Sequence, residues 1–459
     1  MRIISSLIVL LITGTTFAQL NEGARWQLLA DHALIAKSKN IEQRVNPPVK
    51  REIVLVADKP WESDTSAYYS VVQNGPIVRL YYRGLVKDDH SDEQFTCCAE
   101  STDGIHFTRP NYGIIEFNGS KQNNIIFKGG ESAAIGPFVD TNPAAKSDER
   151  YKALAYKVIG EQGAVMALSS PDGLHWKRMQ ESPVMGPGGG FDTMSVAFWD
   201  SSIKKYRAYT RYWSAGAWAG ARAIQSSTSD DFVHWSKPTP NEYPPGTPPE
   251  NLYTSATVLC PGAEHLLLSF PMRFIPDRAK VAGRADPGAA DALIMSSRDG
   301  VHWGFRANWI EPDLDVRNWT DRNNMPAHGI VELGDEFSMY ISENYRWPTN
   351  RLRRVTVPRH RFVSAHAGSV SGQFTTPMMV MTGKKLLLNY STSAAGAIEV
   401  AVEDASGNVL LSSSTIFGNE LAAPVAWKSD AAIQQIQGKP IRLRFTLREA
   451  DLYAFQFRD

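Results

Sequence analysis

The chain has 459 residues, with 48 Lys and Arg against 48 Asp and Glu for a formal charge of +0, and three cysteines. That length gives room for two or three domains and a substantial core, while balanced charge without a long basic run excludes an electrostatic grip on nucleic acid. Cys97, Cys98 and Cys260 are too few for a disulfide framework, no CxxC or HExxH spacing offers a metal site, and the thiols are expected as small buried hydrophobes.

Residues 1–18 join a basic Arg2, an apolar run from Ile3 to Ile12 and small residues at Thr16 and Ala18, the pattern of a secretory signal peptide cut near Ala18–Gln19. A secreted or periplasmic protein is therefore expected, with no later stretch apolar enough to span a bilayer. Residues 19–49, containing LLADHALIAKS and NPPV, are ambiguous between helix and strand.

From about residue 50 the chain repeats itself. STDGIHF at Ser101, SSPDGLHW at Ser169, STSDDFVHW at Ser227 and SSRDGVHW at Ser296 share the order small residue, turn, aliphatic, His, aromatic. Asp-Gly between strand-like flanks is a hairpin signal, because Gly supplies the positive φ of the turn. The motif residues His106, His175, His234 and His302 are separated by 69, 59 and 68 residues, and VPRHRFV reads as a degenerate fifth copy in which Arg361-Phe362 replace the His-aromatic pair. Each hairpin follows a second one, beginning at SAYYSVVQNG, AIGPFVDTNP, TMSVAFWDSS, YTSATVLCPG and AHGIVELGDE. Four strands per unit and five units follow. Such a sheet cannot bury both faces alone, and radial stacking gives a five-bladed β-propeller over 50–367; a string of immunoglobulin-like sandwiches would need about 100 residues per repeat. After Gly368 the motif stops, and KLLLNYS, AIEVAVEDASGNVLLSS, IRLRFTL and LYAFQF read as an antiparallel β-sandwich over 368–459. The fold class is all-β.

Ser-Asp-Asp-Phe-Val-His-Trp, residues 229 to 235, resembles the hairpin that recurs in the five-bladed glycosidases, the superfamily of invertases, levansucrases, arabinanases, xylosidases and anhydrogalactosidases. It also overlaps the Asp-box of six-bladed sialidases. Invertase-like members carry a C-terminal β-sandwich, so the two-domain layout is similar over nearly the whole mature chain, and the resemblance implies a catalytic propeller. The motif itself is a scaffold signature.

In a four-stranded blade, first-strand starts and second-strand ends share the rim of the central funnel, and the Asp-Gly turns lie on the opposite face. The motif His and aromatic residues are then expected to pack the blades. Before the inner strands stand Trp61-Glu62-Ser63-Asp64, Glu131, Asp192, Glu250 and Asp321; at the second-strand ends stand Arg83, Lys157, Arg211, Arg273 and Arg346. Trp61, Trp213, Trp218, Trp319 and Trp347 lie near rim loops, where an aromatic face can cover the C–H side of a sugar. The basic ring points to an anionic sugar, a uronate or a sulfated unit, because guanidinium forks pair with carboxylate and sulfate.

Glycoside hydrolysis needs two carboxyl groups, one protonated as general acid and one ionised as nucleophile or base. In the resembled glycosidases blades one, two and three supply base or nucleophile, a stabilising Asp and a general-acid Glu. Carried over by blade, the resemblance implies Glu62 or Asp64 in the first role, Glu131 as helper and Asp192 as acid. The chain departs from that pattern. Blade one lacks an Asp-Pro strand start, blade two offers Glu for Asp, and blade three offers Asp for Glu, so retaining versus inverting chemistry stays open, as does an acid on Glu250. Asp140 in FVDTNP resembles the Arg-Asp-Pro element of invertases but falls at the far-face turn.

The expectation is a secreted glycoside hydrolase of an oligo- or polysaccharide, with Glu62, Asp64, Glu131 and Asp192 as catalytic candidates and Trp61, Arg83, Arg211, Trp213, Glu250, Arg273, His328 and Arg346 as substrate-binding candidates. No cofactor is expected, and a calcium ion in the funnel stays open. Two other classes remain: a non-catalytic glycan-binding propeller, and a polysaccharide lyase with a Tyr or His base beside a charge-neutralising Arg, for which His328 with Arg346 is a candidate pair.

Overall fold

The structure is a computed structural model and describes residues 25–86, 93–188, 190–216, 218–380, 383–429 and 436–459. The expected signal peptide at 1–18 lies outside the described residues. Five antiparallel sheets of short strands form the blades of a β-propeller. Blade one runs from the axis outward as Ala67–Asn74, Ile77–Leu85, Gln94–Ser101 and Ile125–Lys128. Its inner strand, AYYSVV, is buried at every position, as a strand covered on both faces requires. Blades two and three follow the same order from Ile135–Val139 and Val196–Asp200. In blade four the second strand breaks at Phe270-Pro271 into Ala263–Ser269 and Met272–Ile275, and Asn251–Leu252 pairs with the second piece. The inner strands crowd so closely that a Cβ on Gly136 would collide with the Ser195 carbonyl, and one on Gly329 with that of Val71.

Blade five is closed differently from the sequence expectation. Its strands Val331–Leu333, Glu336–Glu343 and Arg351–Pro358 receive their fourth partner from Val49–Val56, at the other end of the chain. VPRHRFV is therefore no fifth hairpin but the exit from the propeller: His360 takes φ 64° and contacts the Pro261 carbonyl, and Arg361 reaches into the next domain. There its guanidinium bonds Asn389, Asn419 and the carbonyls of Tyr390 and Glu420, which leaves none of its charge on a blade.

The four true motif turns are pinned by one hydrogen-bond pattern. Asp172 Oδ1 accepts from the main-chain N–H of Leu174 and His175, Ser170 Oγ accepts from Gly173 N–H, and His175 Nδ1 lies 2.8 Å from Asp172 Oδ2. Asp103, Asp231 and Asp299 repeat it. The aromatic residues pack inward, with Trp303 wholly buried, but the four His side chains are 65–87% exposed and serve as partners of the Asp rather than as packing. Neighbouring blades hold the turns: Tyr340 donates to the Gly104 carbonyl and Tyr209 to that of Gly300.

The C-terminal domain is a ten-stranded antiparallel assembly built on two long, bent strands, Lys385–Glu403 and Pro440–Arg458. Alternating Ile441, Leu443, Phe445 and Leu447 turn one face of the latter into the sandwich core. Residues 25–45 are strands of this same domain: Gln27–Leu28 pairs with Pro440–Arg458, Lys37–Lys39 with Gly372–Thr375, and Glu42–Val45 with Val363–Ala367. All three cysteines are fully buried, and burial pushes their thiols up, that of Cys98 to about 12. No helix among the described residues is long and apolar enough to cross a membrane.

Candidate functional site

Side chains from blades one, three, four and five meet at the funnel head, which only the central axis allows. Blade one contributes Tyr68, whose φ of 56° falls in a bulge between Ala67 and Ser70. An aromatic residue in this region is strained, and strain of this kind persists where surroundings over-determine it. Arg83 places its guanidinium 4.8 Å from the Tyr68 ring centre and donates to the Thr65 carbonyl at 2.7 Å and the Tyr345 hydroxyl at 3.3 Å.

Blade three brings Asp192, Arg211 and Arg222. Arg211, 2% exposed, donates through Nε to the Gly190 carbonyl and through Nη2 to Asp192, and its Nη1 is buried without a partner. Asp192 keeps 34% of its side chain exposed. Arg222 lies 4.3 Å from the Trp213 ring, 5.2 Å from Tyr253 and 5.6 Å from Phe274, and forms no ion pair among the described residues. Burial lowers its guanidinium from its ordinary value, and Arg211 and Arg322 add to that effect against the pull of Tyr253 and Asp192.

Blade four supplies Tyr253, 7% exposed, with Arg211 4.7 Å from its ring centre. Blade five supplies Asp321, Arg322, Tyr345 and Arg346, the two arginines with φ of 54° and 63°. Asp321 pairs with Arg322 at 2.8 Å and Arg346 at 3.5 Å; burial raises its carboxyl, although both arginines oppose the shift. Burial also pushes the phenol of Tyr253 up, yet Arg322, Arg211 and the neighbouring Tyr68 outweigh it, and the net is a phenol below its ordinary value. Tyr68 moves the other way, chiefly through burial.

The sequence candidates divide sharply. Arg83, Arg211, Arg346, Asp192 and Trp213 join the funnel head, and Asp64 stands beside it, its main-chain carbonyl accepting from Arg346 N–H at 2.7 Å. Glu62 does not join them. Its side chain is closed to solvent and accepts from Arg109 Nε and Nη2 at 2.9 Å, Tyr82 Oη at 2.5 Å and the Asp58 and Lys59 amides. Trp61 packs inside blade one, edge-on to Phe117 with its indole N–H on Asn124. Glu131, 2% exposed, is shared by Lys157 at 3.0 Å and Arg178 at 2.7 Å of its own blade. Glu250 and Arg273 belong to a network with Asp291 and Arg306 on the second, third and fourth strands of blade four, away from the axis. Arg273 there borders a surface cavity of about 580 Å³ with Trp319. Asp140 is locked by Lys152 and Tyr206. His328 bridges Ser70 Oγ and the Thr257 carbonyl, both at 3.2 Å, and burial holds it neutral, down to about 4; it opens on a cavity of about 320 Å³ between inner strands and does not face Arg346. The pairing of His328 with Arg346 as a lyase base and its neutraliser has no geometric basis.

Arg222, Arg322, Tyr68, Tyr253 and Tyr345 were missed. The signal for Arg222 was available, since third strands begin on the same rim at which second strands end, and RAIQSSTS starts with it. Among the described residues no group of three or more His, Cys, Asp or Glu side chains is placed to hold a metal ion.

No family model and no curated protein matches the sequence. Solved structures similar in fold include one described as a glycoside hydrolase, 12% identical over 68% of this chain and 92% of that one with a TM-score of 0.47. Others are a family 43 arabinoxylan arabinofuranohydrolase from Bacillus subtilis in complex with cellotetraose, 12% identical over 86% and 96% with a TM-score of 0.41, and a thermostable family-43 glycoside hydrolase, 10% identical over 66% and 89% with a TM-score of 0.41.

Proposed function

We propose that the chain is a secreted or periplasmic glycoside hydrolase that cleaves an anionic oligo- or polysaccharide in the propeller funnel. The observation that carries this reading is the head of blade three, where a solvent-reaching carboxylate, Asp192, sits on Arg211 beside Arg222, a guanidinium with no carboxylate of its own among the described residues. A half-buried guanidinium surrounded by aromatic rings is costly without an anion, so the site is built to receive one. A uronate or sulfate on Arg222 would set its sugar against Trp213 and Trp218, whose rings lie 6.2 Å apart and tilted by 59°, an apolar ledge for the C–H face. Asp192 and Asp64, on the adjoining loop of blade one, are then the two carboxyls that general acid and base catalysis of hydrolysis requires.

Asp192→Asn keeps the shape and removes the ionisable proton. Hydrolysis of a uronic-acid oligosaccharide should fall by at least about 10²-fold while its binding is kept. A wild-type protein that binds such oligosaccharides and cleaves none would instead make the funnel a glycan receptor.

A further inference from the structure

The rim of blade four carries a groove that the chemistry of the funnel does not use. Ile275 ends the second strand, Ala289 begins the third and Asn308 stands near the end of the fourth, and at this edge opens a cavity of about 580 Å³ with Trp319 in its wall. Its lining therefore lies on the same face as the funnel mouth. Trp319 differs from the other rim tryptophans. Trp61 packs on Phe117, while Arg222 covers Trp213 and Arg284 covers Trp347, each guanidinium 4.3 Å from the ring centre. Trp319 has no aromatic or cationic partner among the described residues, and its indole N–H donates to the Asp313 carbonyl at 2.7 Å, which fixes the ring at the cavity wall. Arg278 and Lys280 in the same lining are exposed and form no ion pair among the described residues, whereas Arg273 is already held by Asp291 and Glu250. Arg273 and Asn308, bonded at 3.0 Å, also border a second cavity of about 480 Å³ that reaches His32 and Thr247, so two adjoining cavities make one groove across the blade. Each is of the size of a ligand site, roughly 300–1,000 Å³. The loop 276–288, which carries Arg278 and Lys280, returns to the funnel: Arg284 donates to the Arg346 carbonyl at 2.8 Å, and Asp286 pairs with the Arg346 guanidinium.

We propose that this groove is a second glycan-binding site, outside the funnel, which holds a further stretch of the acidic polysaccharide on which the funnel acts. This rests on the reading of the funnel as a site for an acidic glycan. Trp319 offers a flat apolar face to the C–H side of a sugar ring. Arg278 and Lys280 meet the carboxylate or sulfate groups of the chain without first breaking an ion pair inside the protein. Asn308 and Glu311, both exposed in the lining, supply an amide and a carboxylate for sugar hydroxyls. Exposed charge pairs are individually weak, and the groove gains its effect from the funnel on the same face. A chain gripped in both places dissociates only when both let go, so neither contact has to be strong. A fragment that fills the funnel alone gains nothing from the groove, and the preference is for polymer over fragment.

The test measures retardation in native gels cast with polygalacturonate, ι-carrageenan or dextran, which offer carboxylate, sulfate and no charge, at about 0.05 M salt, where exposed charges are little screened. The wild type should be retarded by at least one of the two acidic polymers and not by dextran; which of the two it is separates a uronate from a sulfated chain. Arg278→Glu combined with Lys280→Glu changes two exposed side chains and leaves the core alone, and the dissociation constant read from the retardation should rise about tenfold. Trp319→Ala should raise it about fivefold. Trp319 is partly buried, so the charge-reversed pair decides the matter should Trp319→Ala fold poorly. Adding Arg222→Ala to that pair should weaken binding further, since the two sites hold the chain separately. Unchanged retardation in the charge-reversed variant, a wild type retarded by neither acidic polymer, or equal retardation by dextran would overturn the groove and leave the hydrolase reading to its own assay. Loss of retardation in that variant, beside a wild type that hydrolyses neither the polymers nor their oligosaccharides, would uphold the groove and overturn the hydrolase reading.

Discussion

Glu62→Gln separates a residue that builds the site's surroundings from one that reacts. The carboxylate is closed to solvent and held by a two-pronged contact from Arg109, with Nε and Nη2 both at 2.9 Å, and by the Tyr82 hydroxyl and two amides. Removing one partner of a buried pair costs about 3–5 kcal/mol, because the other charge is left uncompensated. Arg109 is 16% exposed and keeps a contact to the Val56 carbonyl, and the new amide can still accept from Tyr82, so the lower end applies, about 3 kcal/mol. At about 1.4 kcal/mol per tenfold, the folding equilibrium falls roughly 10²-fold. Urea unfolding at neutral pH reads this as a lower midpoint with an unchanged slope. Hydrolysis per folded molecule, measured well below the transition, should stay within about twofold of wild type, the behaviour of a residue outside the reacting centre. A variant of wild-type stability that has lost hydrolysis would refute the reasoning and return Glu62 to the chemistry.

The turn aspartates make stability depend on acid. Asp103 is held below the usual carboxylate range chiefly by the His106 side chain, and in Asp172 and Asp231 burial raises the carboxyl but the hydrogen bonds of the turn outweigh it. Carboxyls lower in the folded than in the unfolded state add stability that is full above the unfolded value near pH 4 and is lost as pH falls below it. The urea midpoint should therefore drop between about pH 5 and pH 2, and less so in Asp172→Asn; equal drops would remove the turns from the explanation. Ile53→Pro strikes the closing strand, an edge strand, where Ile53 pairs with Arg353 and is 43% exposed, so packing loss is minor and a weakened ladder costs about 1 kcal/mol. Unchanged unfolding and proteolysis in that variant would mean that blade five does not depend on this strand.

The propeller was legible because its signal is local. Ser-x-Asp-x-x-His-aromatic reports a turn pinned by its own atoms, and its four copies mark four of the five blades. The exit at VPRHRFV was misread for the same reason: the letters imitate a turn, and only the arrival of Val49–Val56 at Arg351–Pro358 shows that the fourth strand is already supplied. In the site, the rim rule found Asp192, Arg83, Arg211 and Arg346, since strand ends fix their place. It could not separate Asp192 from Glu62 or Glu131, because that depends on Arg109 and Arg178, which lie 47 residues along the chain in each case. Tyr253 carries no signal in LYTSAT at all. What sets it apart is the company of arginines from two other blades, and that exists only once the ring is formed.

The closing strand also has a meaning in time. Val49–Val56 leaves the ribosome early, but its partner Arg351–Pro358 follows only after roughly 300 further residues, and residues 27–45 wait still longer for theirs. At about 5–20 residues per second, that interval is on the order of 15–60 s. Throughout it, the nascent chain displays Ile53, Val54 and Leu55 on an unpaired edge, the kind of segment that invites association with other chains. The charges next to them, Lys50, Arg51 and Glu52, flank that edge as gatekeepers during synthesis and become the ion-pair partners of Asp313, Glu336 and Arg354 once the ring shuts.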